Sequence, residues 1–182
     1  SEVERVLEEL EELARRDEEK NKRVEDRLRK LIEDDRRDLR RILERLREIA
    51  ERLKEEAESE GKEVLDEVRK KVEDVIREVE KLLRESTKRL EDVKREVEEL
   101  LKRSREEVEE IRERVERKVK DIDEEFVRRI RDLLRRWKEE VDRSEDRIRR
   151  ELEKWERENE EAEKRIRKII EDLRREIKKK AD

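Results

Sequence analysis

The chain of 182 residues contains no His, Cys, Met, Tyr or Pro, and only one Gly, one Phe and two Trp. Each absence excludes something. Nucleophilic catalysis needs a base beside the hydroxyl or thiol, and Ser1, Ser59, Ser86, Ser104, Ser144 and Thr87 have no imidazole to activate them. Zinc and di-iron sites in helical proteins combine His or Cys with carboxylates, so no metal or other cofactor is expected. With no Cys the chain is indifferent to redox compartment. A single Gly leaves no phosphate-cradling loop and almost none of the turn chemistry that hairpins require. Apolar runs never exceed two residues, which excludes a membrane span and the apolar segment of a secretory signal. A soluble protein without a targeting signal is expected.

What is present is mostly charge: 65% of the residues are Asp, Glu, Lys or Arg, against 30% hydrophobic. Such a composition alone would suit a disordered chain, because little apolar area is available to offset the entropy of ordering. The residue types argue otherwise, since Glu, Lys, Arg and Leu are strong helix formers and dominate the sequence. The 57 basic and 62 acidic residues give a net charge of −5 and are interleaved throughout, which is a solvated surface and not a nucleic-acid footprint. Membrane-surface binding would need a basic polar face opposite a broad aromatic one, and neither is present.

The apolar residues lie on one stripe. From Val64 it runs through Val68, Val72, Val75, Val79 and Leu82, and it continues with spacings of three and four to Ile177. The mean step is about 3.65 residues, near the relaxed helix and longer than the 3.5 of a left-handed heptad coil, which predicts nearly straight helices. Doublets such as Leu31-Ile32, Ile42-Leu43, Val75-Ile76, Leu82-Leu83, Leu133-Leu134 and Ile169-Ile170 widen the stripe enough to face two partners.

Two breaks interrupt the pattern. Gly61, within Ser59-Glu60-Gly61-Lys62, suits the left-handed residue just past a helix C-terminus. Asp121-Ile122-Asp123-Glu124-Glu125 lacks the spacing of a calcium loop and reads as a helix start, with Asp123 as the cap and acids in the first turn. Ser1-Glu2-Val3-Glu4 has the form of a capping box, and Lys178-Lys179-Lys180 places cations at the last terminus. The expected fold is therefore all-α: one domain, 1–182, a single-chain antiparallel three-helix bundle. Helix 1 covers about 2–58, a turn 59–62, helix 2 about 63–119, a turn 120–123 and helix 3 about 124–180, each helix about 85 Å long.

Polar residues interrupt the stripe at Asp17, Asn21 and Asp35 in the first third, Ser86 and Ser104 in the second, and Ser144 and Asn159 in the last. Folding at the two turns puts residue i of helix 1 level with 121 − i of helix 2 and i + 122 of helix 3. Asp17 then lies level with Ser104 and near Trp137 and Ser144, while Asp35 lies level with Ser86 and near Trp155 and Asn159. The separations Asp17 to Asp35, Ser86 to Ser104 and Trp137 to Trp155 are all 18 residues, five turns of a relaxed helix. A carboxyl group accepts, an indole N–H donates and a hydroxyl does either, so each set can satisfy itself inside a core. Two structural polar layers are expected, Asp17/Ser104/Trp137 and Asp35/Ser86/Trp155, with Asn21/Ser144 and Asn159 as extensions. Asp17 and Asp35 are about 27 Å apart along the helix and cannot act as a catalytic carboxylate pair.

With these residues in view, the chain resembles computationally designed helical bundles of the parametric kind, in which long straight helices carry modular hydrogen-bond layers. The resemblance rests on the repeated Asp17/Asp35, Ser86/Ser104 and Trp137/Trp155 set, the single-Gly loop and the Glu/Lys/Arg surface, and it covers the whole chain. It implies a de novo structural scaffold with no evolved biochemical function, no enzymatic activity and no required partner, monomeric in solution. The alternative is an oligomeric coiled-coil or tether protein, in which the same stripe zips to partner helices or to a second copy.

Overall fold

The computed structural model describes residues 2–59, 62–118 and 123–181. They form three helices: α1 Glu2–Ser59, α2 Lys62–Lys118 and α3 Glu124–Ala181. No strand occurs among the described residues. Helix propensity alone does not hold such a sequence in shape. The helices persist because each buries a narrow apolar face, and because no Pro interrupts their hydrogen-bond ladders. At the start of α3 the main-chain carbonyl of Asp123 accepts from the amides of Phe126 at 3.1 Å and Val127 at 3.2 Å, so Asp123 occupies the capping position. Ser1 and Gly61, as well as Asp121 and Ile122, lie outside the described residues.

The chain divides into two compact units, and every helix contributes to both. Unit 1 comprises Ser1–Lys30 and Val93–Glu153; unit 2 comprises Leu31–Asp92 and Lys154–Asp182. In unit 1 the core joins Leu10 of α1, Val108 and Val115 of α2, and Ile130, Leu134, Trp137 and Val141 of α3. Cross-helix pairs give the directions. Arg105 pairs with Glu145 and Arg149 with Glu98, so α2 and α3 run antiparallel. Asp17 meets Trp137 and Glu25 meets Arg147, so α1 and α3 run parallel.

Unit 2 repeats the arrangement with its own core. Leu39, Ile42, Leu46 and Leu53 of α1 pack with Val72, Ile76, Val79 and Leu83 of α2 and with Ile166, Ile170, Leu173 and Ile177 of α3. Asp35 meets Ser86 while Arg45 meets Glu78, which makes α1 and α2 antiparallel. Burying one such aliphatic side chain is worth about 1.5–3 kcal/mol, so these seams carry the stability that exposed ion pairs do not.

The buried positions recur every 18 residues in all three helices. On α3 the series Ile130/Ile148/Ile166, Leu134/Leu152/Ile170 and Trp137/Trp155/Leu173 are all buried; α1 repeats Leu10/Leu28/Leu46 and α2 repeats Val72/Leu90/Val108. The repeat thus extends from the polar residues to the apolar seam. Eighteen residues is five turns at 3.6 per turn, so a side chain returns to the same angular position without supercoiling. Within the apolar doublets one member enters the seam: Ile32, Ile42, Ile76, Leu83, Leu134 and Ile170 are buried, and their neighbours Leu31, Leu43, Val75, Leu82, Leu133 and Ile169 are half-buried.

Candidate functional site

Each unit contains one buried polar cluster built by all three of its helical segments. In unit 1, Asp17 is 6% exposed and Ser104 is 4% exposed. The Ser104 hydroxyl lies 3.2 Å from Asp17 Oδ1 and 3.4 Å from Oδ2, sharing its single proton between them. The indole Nε1 of Trp137 donates to Asp17 Oδ2 at 3.0 Å. One carboxyl group on α1 therefore collects a donor from α2 and another from α3, and none of the three is left unpaired where an unmet polar group costs about 1–3 kcal/mol.

Unit 2 has the corresponding set with shorter bonds. Ser86 Oγ donates to Asp35 Oδ1 at 2.6 Å and Trp155 Nε1 donates to Asp35 Oδ2 at 2.8 Å. Asn159, one turn beyond Trp155 on α3, brings Oδ1 to 3.5 Å from Ser86 Oγ. The only hydroxyl proton of Ser86 serves Asp35, so the amide orientation that presents Nδ2 to the Ser86 lone pair is the chemically favoured one. As placed, Asn159 Nδ2 is fully buried without a partner, and turning the amide leaves its oxygen in that position instead.

The extensions differ from the expected ones. Asn21 and Ser144 are both buried but do not bond each other. Ser144 Oγ instead donates to Glu25 Oε1 at 3.2 Å, and Arg147 Nε donates to the same oxygen at 3.0 Å. Sequence reasoning named neither Glu25 nor Glu145. Glu145 is 7% exposed and sits between two guanidinium groups, with Arg105 Nε donating to Oε2 at 2.9 Å and Arg149 Nε to Oε1 at 3.1 Å. In unit 2, Arg36 Nη2 reaches Glu158 at 2.7 Å in a fork-like pair. The one available signal for Glu145 is its placement four residues before Arg149, which is no rarer in this chain than on any exposed face.

Chemically, these clusters are closed networks of acceptors and donors. Among the described residues no group of three or more His, Cys, Asp or Glu could hold a metal ion, and no helix is long and apolar enough to cross a membrane. No protein-family model and no curated protein matches the chain. Among solved structures it is similar to a computationally designed three-helix bundle, 15% identical, with a TM-score of 0.43 over 98% of this chain and 90% of that one.

Proposed function

We propose that the chain is a designed structural scaffold, a monomeric single-domain helical bundle without enzymatic activity, whose polar clusters specify the register of its helices. The observation that carries this reading is the repetition of one Asp/Ser/Trp hydrogen-bonded set at an interval of five helical turns, on three helices at once. Selection for a chemical task would favour one unique site, whereas a repeated, self-satisfied set serves alignment. An apolar seam with a regular repeat lets helices slide by a turn at small cost, because one aliphatic layer resembles the next. A slipped helix would set Asp17 or Asp35 against Leu or Val, and the stranded polar groups penalise that arrangement.

No large apolar side chain among the described residues is exposed, which favours the monomer over the oligomeric or tether reading. Light scattering separates those two: the mass of one chain is expected, and a concentration-dependent multiple of it would support the tether. The register reading is tested by making both clusters apolar together, with Asp17→Leu, Asp35→Leu, Ser86→Ala, Ser104→Ala, Trp137→Phe, Trp155→Phe and Asn159→Leu. The parent is expected to give one amide resonance per residue and the variant several, at equal or greater stability. A variant with a single set of resonances and the parent's contacts would remove the register role.

A further inference from the structure

We propose that the groove between α1 and α3 in unit 1 is a binding site for a small neutral aromatic primary amide. The groove encloses about 570 Å³, within the usual range of small-molecule sites. Its apolar wall is made by Ala14, Leu133, Val141 and the Trp137 ring, and its polar end by Asp17, Asn21 and Ser144. Asp17 and Ser144 are engaged by Trp137, Ser104 and Glu25. Asn21 is not. It is only 9% exposed, lines the groove, and has no side-chain hydrogen bond among the described residues.

The Asn21 amide borders the groove with neither its donor nor its acceptor taken by a described residue, and it defines its own complement. A second primary amide meets it with two antiparallel N–H···O bonds, satisfying both groups at once. The ring of such a ligand lies on the half-buried Ala14 and Leu133, beside the small exposed edge of Trp137. Charge selects further. Apart from buried Asp17, the lining charges are four Glu against three Arg and one Lys, so the groove favours neither a cation nor an anion. The repeat supplies an internal control: eighteen residues on, Asn21 and Ser144 are replaced by Leu39 and Ala162.

The test is a titration of the intact chain with benzamide, followed by the side-chain amide resonances of Asn21 and the two indole N–H resonances. Saturable shifts at Asn21 and Trp137 with a millimolar Kd, with Trp155 unmoved, are expected. Asn21→Leu, which writes the residue of unit 2 into unit 1, is expected to weaken binding about tenfold, the equivalent of about one lost hydrogen bond. Circular dichroism confirms that this variant remains helical, and Ser86→Ala, in the cluster of unit 2, leaves the groove intact and retains binding. Benzoate at the same concentrations is expected to produce no saturable shift. Equal or unsaturable shifts at Trp137 and Trp155, unchanged affinity in Asn21→Leu, or binding of benzoate as strong as that of benzamide would each overturn the proposal.

Discussion

The polar clusters of the two units use the same three residue types at the same spacing, yet they are not equally closed. In unit 2, Asp35 holds Ser86 at 2.6 Å and Trp155 at 2.8 Å, and the set is backed by a buried Asn159. In unit 1 the equivalent distances are 3.2 and 3.0 Å, and Asp17, Trp137 and Asn21 line an open groove. The grooves differ in size: in unit 2 a smaller one of about 230 Å³ is lined by Asp35, Leu39 and Ser86, and Leu39 and Ala162 are apolar where unit 1 has Asn21 and Ser144. Identical donor and acceptor lists therefore do not give identical sites; the residues one or two turns away set the size of the groove beside each network.

The strongest way to break this comparison is to delete the two acceptors. Asp35→Ala strands the Trp155 N–H and the Ser86 hydroxyl beside the smaller groove, and is expected to cost about 3–4 kcal/mol, the sum of two unmet buried donors. Asp17→Ala strands the same types beside a groove that admits solvent, and is expected to cost about 2 kcal/mol. Urea unfolding of both variants provides the check, and equal losses would show that the groove does not relieve the buried donors. Removing one cluster whole should reverse the sign. Asp35→Leu, Ser86→Ala, Trp155→Phe and Asn159→Leu together are expected to leave stability unchanged or raised by about 1–2 kcal/mol, since no polar group of the cluster is then left buried without a partner. A loss as large as that of Asp35→Ala would overturn the account.

A smaller effect sharpens the bond lengths. Ser86→Ala removes a short 2.6 Å donor and is expected to cost about 1–1.5 kcal/mol, whereas Ser104→Ala removes a proton divided between two longer contacts and is expected to cost about 0.5 kcal/mol. Thermal unfolding of the single variants resolves this difference if the two melting temperatures are compared in one buffer. The reverse order would mean that distance does not rank these hydrogen bonds.

These sites were partly legible because complementary rarities coincide. In a chain so poor in Ser and Trp, an Asp, a Ser and a Trp meeting twice after fold-back carries information that a charged residue cannot. Glu25 and Glu145 show the opposite case. Glu25 is half-buried under Arg147 of α3, and Glu145 is buried between Arg105 of α2 and Arg149 of its own helix; among 62 acidic residues nothing local distinguishes them from solvated ones. The seam was legible to within one residue for the same kind of reason. At Val75-Ile76 or Leu82-Leu83 both residues are apolar, and only the angles of two neighbouring helices settle that Ile76 and Leu83 turn inward. The engagement of Ser144 by Glu25, not Asn21, likewise depends on side-chain reach across α1 and α3, which spacing does not encode.

The smallest expected effect concerns Asn159, the feature that unit 2 has and unit 1 lacks on α3, where Val141 stands in its place. One amide atom of Asn159 can engage Ser86 while the other stays buried without a partner. Leu has the same branched four-atom skeleton as Asn with larger methyl groups, so Asn159→Leu removes the unmet group without opening a cavity, and Ser86 keeps its proton on Asp35. The weak 3.5 Å contact is lost and an apolar surface is gained, for a net gain of about 0.5–1 kcal/mol. The matching change in unit 1, Val141→Asn, adds a polar group one turn beyond Trp137 and is expected to destabilise. If Asn159→Leu instead lowers the denaturation midpoint, the amide is paired more strongly than its geometry indicates, and the cluster of unit 2 is a four-residue network in energy as well as in position.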